Sequence, residues 1–159
     1  MPHQSVIHQT FTIERSYPAA PSRVFGAFAS EEAKNTWGDT GDLEPGSGGA
    51  AETEFDFRVG GCERFGFGYQ GTAYRLAALY YDIVPDHRIV YSYEMYSGDD
   101  RMSVSLTTVE IVPDQDGTKL TYTEQGAFLD GIDKPEDREG GTVWILDNLG
   151  KYLAAAVGG

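Results

Sequence analysis

The feature that most constrains the fold is a run of six segments between residues 52 and 127 in which residue character changes with a period of two. Short connections separate the segments and carry turn-forming residues such as Gly60-Gly61 and Pro85-Asp86. A period of two is typical of β-strands, and strands joined by short turns pair antiparallel, because a parallel crossover needs a dozen or more residues. The middle of the chain is therefore predicted to be one antiparallel meander. Its predicted strands are 52–59, 63–69, 72–84, 88–96, 102–112 and 119–127.

Elements of other kinds precede this meander. Residues 6–17 are rich in β-branched and aromatic side chains and are predicted to form a strand. Pro21 begins a predicted helix, because apolar residues follow it at helical spacing, and Ser30 is expected to cap a second short helix at residues 31–37. The Gly-, Asp- and Pro-rich stretch 38–50 is predicted to be a long loop.

The last segment of the chain is predicted to be a long amphipathic helix. Pro135 stands near its start, with acidic residues in the first turns. Leu146, Leu149 and Leu153 follow at three- and four-residue spacing and belong to a wide apolar stripe. A one-sided antiparallel sheet needs cover for its apolar face, and this helix is the predicted element long enough to supply it.

The order of elements, β-α-α-β-β-β-β-β-β-α, predicts an α+β fold. A curved antiparallel sheet would wrap around the C-terminal helix, and an internal cavity can remain between them because such a sheet need not close tightly. The length of 159 residues is that of one ordinary domain, so residues 1–159 are expected to form a single unit.

The charge balance limits the classes of partner. The chain has 25 acidic and 12 basic residues and a net charge of −13. Such a surface repels phosphate backbones, so neither nucleic acid nor an anionic membrane is expected as a partner. No apolar run approaches the ~18 residues of a spanning helix. With one cysteine and no signal-peptide pattern, the protein is expected in the cytoplasm.

The stretch EFDFRVGGCERFGFGY holds the only cysteine, Cys62, and a glycine pair. A nucleophilic cysteine needs a base within reach, and none of the three histidines is placed beside it by the sequence. Gly60-Gly61 fits a two-residue hairpin turn better than a phosphate loop, since no helix follows it. Without HExxH or CxxC patterns, no metal site and no cofactor are expected.

Two strand carboxylates are candidates for chemistry. Glu94 shares a strand face with Ser92 and Tyr96, and Glu124 alternates in the same way with Thr123. If its face points inward, either carboxylate would be a buried acid in an aromatic pocket, with a raised pKa and the capacity for general acid catalysis or ligand anchoring. The pattern does not decide which face is inward.

Aromatic residues are the most informative set, with ten tyrosines and eight phenylalanines in the chain. Buried tyrosines usually find a partner for the hydroxyl, and a mostly apolar wall with a few polar groups is typical of ligand pockets. The predicted ligand-binding residues are Trp37, Phe55, Phe57, Phe67, Tyr69, Tyr80, Tyr93, Met102, Tyr122 and Trp144.

Several stretches together resemble a known superfamily. They are ERSYPAAPSRVFGAFAS with a following Trp, FDFRVGGCERF, YYDIVPDHRIVYSYEM, VSLTTVEIVPDQDGTKLTYTEQGAF and the terminal GG…W…L…YL. In order and spacing they resemble the helix-grip or SRPBCC superfamily, which includes START domains and the birch-pollen allergen. Within it the chain is most similar to bacterial homologues of the activator of heat-shock protein 90 ATPase. The resemblance implies a helix-grip fold with a hydrophobic cavity and no particular reaction.

Three functions remain open from sequence. The first is binding of a small hydrophobic or aromatic molecule in the cavity, which the absence of a catalytic set favours over an enzyme. The second is an enzyme of the cyclase, dehydratase or hydrolase type that uses Glu94 or Glu124 with a tyrosine. The third is a module that binds a chaperone partner, by analogy with the activator. Antiparallel edges would also allow a homodimer, although nothing in the sequence demands one.

Overall fold

The structure of the protein is a computed structural model, and it describes residues 5–37, 53–69 and 71–157. Within these residues the order of elements is the predicted one, and the α+β class is confirmed. The elements are β1 (Val6–Tyr17), α1 (Pro21–Ala29), α2 (Glu31–Trp37), β2 (Glu54–Phe55), β3 (Cys62–Tyr69), β4 (Thr72–Val84), β5 (Arg88–Ser97), β6 (Asp100–Asp114), β7 (Gly117–Leu129) and α3 (Pro135–Val157). The predicted loop at 38–50 lies outside the described residues.

The strands form one antiparallel sheet in the order β1-β7-β6-β5-β4-β3-β2. Strands β2 to β7 follow each other as the predicted meander, and β1 joins its far edge by pairing with β7 along its whole length. Tight turns link neighbours, and Asp86, Gly98 and Gln115 adopt positive φ in three of them. The short connections therefore produce the antiparallel pairing that the sequence predicts.

The first hairpin of the meander differs from the prediction. Strand character was expected over residues 52–59, but β2 contains only Glu54 and Phe55. The chain turns between Asp56 and Gly61, where the Gly61 amide donates to the Arg58 carbonyl at 2.8 Å. Gly60 has a φ of 85°, and a Cβ on Gly61 would stand 2.2 Å from the Asp56 carbonyl oxygen. Both glycines are thus required, although in a wider turn than a two-residue hairpin.

Helices α1 and α2 form as predicted. Pro21 occupies the first turn of α1, and the predicted cap of α2 is confirmed, because the Ala33 amide donates to the Ser30 hydroxyl at 3.2 Å. Val24 and Phe28 are buried against the rest of the core.

Helix α3 packs on the β1 side of the sheet and against α1 and α2. Its side chains at Leu146, Leu149 and Leu153 are buried, as the predicted stripe requires. The hydroxyl of Tyr17, at the end of β1, donates to the Leu146 carbonyl at 2.7 Å. Gly150 allows a close approach, since a Cβ there would stand 3.2 Å from the Tyr17 ring. Helix α3 is therefore fixed over one half of the sheet.

The register shows which face of each strand points toward α3. Glu124 pairs with Thr107, Thr107 pairs with Tyr91, and Tyr91 pairs with Tyr80, so these side chains share one face. Glu124, Thr107 and Tyr80 are buried, which identifies this face as the inner one. The half-buried inward side chains of β3, β4 and β5 form what we call the inner groove. They are Phe65, Phe67, Tyr74, Leu76 and Met95.

Candidate functional site

The centre of the inner face is a buried carboxylate on β7. Glu124 is only 1% exposed. The Tyr93 hydroxyl lies 2.8 Å from both carboxylate oxygens and donates to them, and the Ser105 hydroxyl donates to Oε2 at 3.0 Å. A buried charge is costly unless it is paired and hydrogen-bonded, so these donors explain how the sheet tolerates the carboxylate.

Arg138, in the first turns of α3, supplies the opposite charge. Its Nη1 lies 3.2 Å from Glu124 and donates to the Tyr93 oxygen at 2.9 Å. Its Nη2 donates to the Ser103 hydroxyl and to the Asp133 carboxylate, both at 2.8 Å. We call Glu124, Arg138, Tyr93, Ser103, Ser105 and Asp133 the Glu124–Arg138 cluster. Burial alone would lower the pKa of the arginine, but these electronegative neighbours raise it, so the guanidinium stays charged.

Three hydroxyls beside this cluster are less fully bonded, and we call them the hydroxyl trio: Tyr91, Thr107 and Tyr122. The Tyr122 oxygen lies 3.5 Å from Glu124 and 3.4 Å from the Tyr91 oxygen, the long end of the hydrogen-bond range. The Thr107 hydroxyl is buried beside Tyr91 and makes no well-formed hydrogen bond within the described part of the chain. Burial raises the pKa of both tyrosines, so they remain protonated donors.

A second polar group lies where α2 meets the sheet. Glu63 of β3 accepts a hydrogen bond from Lys34 of α2 at 2.6 Å and another from the Tyr80 hydroxyl at 2.9 Å. The Lys34 ammonium also stands 5.5 Å from the centre of the Phe55 ring. This pair joins α2 to β3, and the sequence patterns did not predict it.

Aromatic rings connect the two polar groups. Successive ring centres lie 5.0 to 6.2 Å apart, within the range of favourable aromatic pairs. We call this series the aromatic row, and it consists of Phe55, Phe57, Tyr80, Tyr91 and Tyr93. An apolar wall thus runs from the Lys34–Glu63 pair to the Glu124–Arg138 cluster and ends beside the hydroxyl trio.

The structure places several predicted site residues on this inner face. Tyr80, Tyr93 and Tyr122 lie there and are buried, and Phe67 lies in the inner groove, stacked on Tyr74 at 5.4 Å. Phe55 and Phe57 belong to the aromatic row. For Tyr69 only the backbone position at the end of β3 is described.

Other predicted residues have different surroundings. The Trp37 indole donates to the Ala27 carbonyl at 2.9 Å and packs against Phe28, so it closes the contact between the two short helices. Trp144 is 43% exposed, because it lies on the face of α3 opposite Leu146, and it does not line the inner face. Met102 is buried at the irregularity between β5 and β6.

The two candidate carboxylates separate clearly. Glu124 points inward, as its candidacy required. Glu94 pairs with Ala77 and Val104 on the outer face and forms a half-exposed salt bridge with Arg101 at 3.0 Å. Glu94 therefore does not have the inward orientation that a role in the pocket would require.

Cys62 is half-buried at the start of β3. A hydrogen bond to Glu54, followed by burial, raises the pKa of its thiol, which disfavours the nucleophilic thiolate. The described residues contain no group of three or more His, Cys, Asp or Glu side chains placed to hold a metal ion. Among the same residues, no helix has the length and apolar character needed to cross a membrane.

Sequence reasoning missed several residues of the site, including Glu63, Tyr91 and Thr107 on the sheet and, most consequentially, Arg138 on α3. Helical spacing could have identified Arg138. Thr142 follows it by four residues and the buried Leu146 by eight, so Arg138 lies on the buried face of the helix. A basic residue on the buried face of a helix implies a buried acidic partner.

A sheet curved along a C-terminal helix, with a polar cluster between them, defines a helix-grip protein of the SRPBCC class. A family model described as "Activator of Hsp90 ATPase homolog 1-like protein" matches residues 18–154. The chain belongs to this family. The fold commonly contains a ligand-binding cavity.

Solved structures agree with this assignment. The Mll3558 protein from Rhizobium loti is 55% identical, with 94% of this chain and 99% of that chain covered and a TM-score of 0.84. An uncharacterized protein from Rhizobium leguminosarum is 41% identical over 96% and 99% of the two chains, with a TM-score of 0.86. Protein CV1439 from Chromobacterium violaceum, 24% identical over 91% and 96%, shares the fold with a TM-score of 0.74. No curated protein matches the chain.

Proposed function

We propose that the protein binds a small molecule with an apolar or aromatic body and one hydrogen-bond-accepting group. The body would lie in the inner groove against the aromatic row, and the accepting group would meet the hydroxyl trio. The observation that carries the proposal is the Thr107 hydroxyl, which makes no well-formed hydrogen bond with any described residue, beside the long contacts of Tyr91 and Tyr122. Buried polar groups normally have hydrogen-bond partners. Incompletely bonded hydroxyls beside the aromatic row could therefore donate to the carbonyl group of a ligand.

The charges of the site favour a neutral ligand. Glu124 and Arg138 neutralise each other, and each is further bonded by other members of the cluster. An anionic ligand would meet Glu124 at close range, whereas a carbonyl could accept from the neutral phenols without disturbing the ion pair. The ligand class that fits best is therefore an aromatic or alicyclic carbonyl compound.

The same contacts favour binding over catalysis. A general base needs a free lone pair, and Glu124 already accepts from Tyr93, Ser105 and Arg138. The raised pKa of Tyr93, caused first by its burial, opposes phenolate formation. The cluster is thus suited to hold α3 and orient donors.

A fluorescent titration tests the proposal. The probe is 6-propionyl-2-dimethylaminonaphthalene, an aromatic ketone whose emission reports its surroundings. We expect saturable binding to the native protein and a dissociation constant about three- to tenfold weaker for Tyr122→Phe, because a net hydrogen bond contributes ~1 kcal/mol. Tyr81→Phe is the matched control, since Tyr81 is exposed and away from the inner face.

A second probe separates hydrogen bonding from packing. The parent 2-dimethylaminonaphthalene lacks the ketone, so its affinity should be the same for native protein and Tyr122→Phe. Absence of saturable binding by both probes would contradict the proposal. Equal affinity of the native protein and Tyr122→Phe for the ketone probe would show that the hydroxyl trio does not bind the carbonyl group.

A further inference from the structure

The outer face of the sheet, away from the inner groove, carries a second cluster of functional side chains. Two adjacent cross-strand rows form it: Arg64–Ala77–Glu94 and Arg75–Tyr96–Arg101. A pocket of about 220 Å³ is lined by five of these residues, Arg64, Arg75, Ala77, Glu94 and Tyr96, together with Phe65 and Leu76. We call it the outer arginine pocket. It shares no member with the hydroxyl trio or the Glu124–Arg138 cluster, and it meets the inner groove at Phe65 and Leu76.

The local charge of this pocket is opposite to that of the chain. The whole protein carries −13, yet three arginines meet here beside Glu94, with Glu54 opposite Arg64 across the β2–β3 pair. Arg101 is neutralised by Glu94 at 3.0 Å. Neither Arg64 nor Arg75 forms a salt bridge with any of the described residues. Within the described part of the chain, these two guanidiniums therefore have no ion-pair partner.

Tyr96 holds the pocket in shape. The Arg75 guanidinium lies 4.4 Å from the centre of the Tyr96 ring, a distance typical of a cation–π contact. Arg101 donates to the Tyr96 hydroxyl from two nitrogens, at 3.2 and 3.3 Å. The small side chain of Ala77 stands between Arg64 and Glu94 and leaves room in the row. Stacking orders the Arg75 guanidinium before any ligand arrives, which lowers the entropic cost of binding.

We propose that the outer arginine pocket binds a small dianionic oxyanion, either a phosphate monoester or a dicarboxylate. Each guanidinium can present two parallel N–H donors to such a group, and two unpaired guanidiniums match two negative charges. A polyanion would extend beyond the pocket onto the acidic remainder of the surface, so a single small dianion suits it better. This proposal does not rest on the hydroxyl trio, which carries the function proposed for the inner groove.

The test is a titration followed by nuclear magnetic resonance of the backbone amides of the full chain. Inorganic phosphate at pH 8 is one arm and malonate is the other, with ionic strength held constant by sodium chloride. We expect saturable shifts confined to amides of β3, β4 and β5 near Arg64, Arg75 and Tyr96. The double variant Arg64→Gln/Arg75→Gln should bind at least tenfold more weakly, and its dispersed spectrum will show that it is folded.

Arg88→Gln is the matched control, because Arg88 is also an exposed arginine of the sheet but is already paired with Asp82. It should bind like the native protein. Saturation by phosphate alone would assign the site to phosphate monoesters, and saturation by malonate alone would assign it to dicarboxylates. Shifts that never saturate with either anion, or that are equal in the double variant, would overturn the proposal.

Discussion

Replacing Arg138 by methionine is expected to lower the free energy of unfolding by about 3–5 kcal/mol. The substitution keeps much of the aliphatic volume but removes the cation that faces Glu124, which is buried within the sheet. Removing one partner of a buried ion pair leaves an uncompensated buried charge. The resulting loss of stability is larger than that from removing most other single interactions. Urea unfolding followed by circular dichroism gives the change, with an unaltered slope showing that the native state stays compact.

The control for this prediction is Arg101→Met on the outer face. Arg101 also pairs with a glutamate, but that pair is half exposed, so its loss should leave the unfolding midpoint nearly unchanged. The double variant Arg138→Met/Glu124→Gln should recover part of the loss, since it removes the orphaned charge. Equal stability of Arg138→Met and Arg101→Met would contradict a structural role for the Glu124–Arg138 cluster.

The second large effect is expected for Leu149→Ala, at about 2–5 kcal/mol of lost stability. Leu149 is completely buried in the middle of α3, where the helix packs close to Tyr17. Truncation removes apolar contacts and leaves a cavity that a helix pinned at Gly150 cannot close. Thermal and urea unfolding measure the change.

Leu106→Ala is its matched control. Leu106 is 40% exposed on the outer face of β6, so the same truncation should cost far less there. If both substitutions destabilised the protein equally, α3 would not be docked through its leucine stripe.

The sequence could predict the fold because its signals are local. Turn residues such as Asp86 and Gly98 lie between strands, and Ser30 lies directly before α2. The leucines of α3 recur at helical spacing. Each of these signals depends only on residues close together in the chain. The first hairpin was predicted less well, because the backbone bonds around Gly61, and not alternation, decide where β2 ends.

The site could be predicted only in part, since alternation groups residues by face without saying which face is inward. Glu94 and Glu124 have the same pattern, and only pairing across four strands separates them. Partners such as Arg138 and Lys34 come from helices distant in the chain, so no short-range pattern could show that they meet Glu124 and Glu63. The aromatic residues were predictable as a set but not in their individual surroundings.

The most direct test of a binding site at the hydroxyl trio is a crystal structure of the protein with 6-propionyl-2-dimethylaminonaphthalene bound. The ketone oxygen should lie within about 3.2 Å of at least one hydroxyl of Tyr91, Thr107 or Tyr122. The naphthalene rings should lie in the inner groove, against the aromatic row. A probe bound elsewhere, or one whose ketone faces away from the trio, would contradict the proposed function.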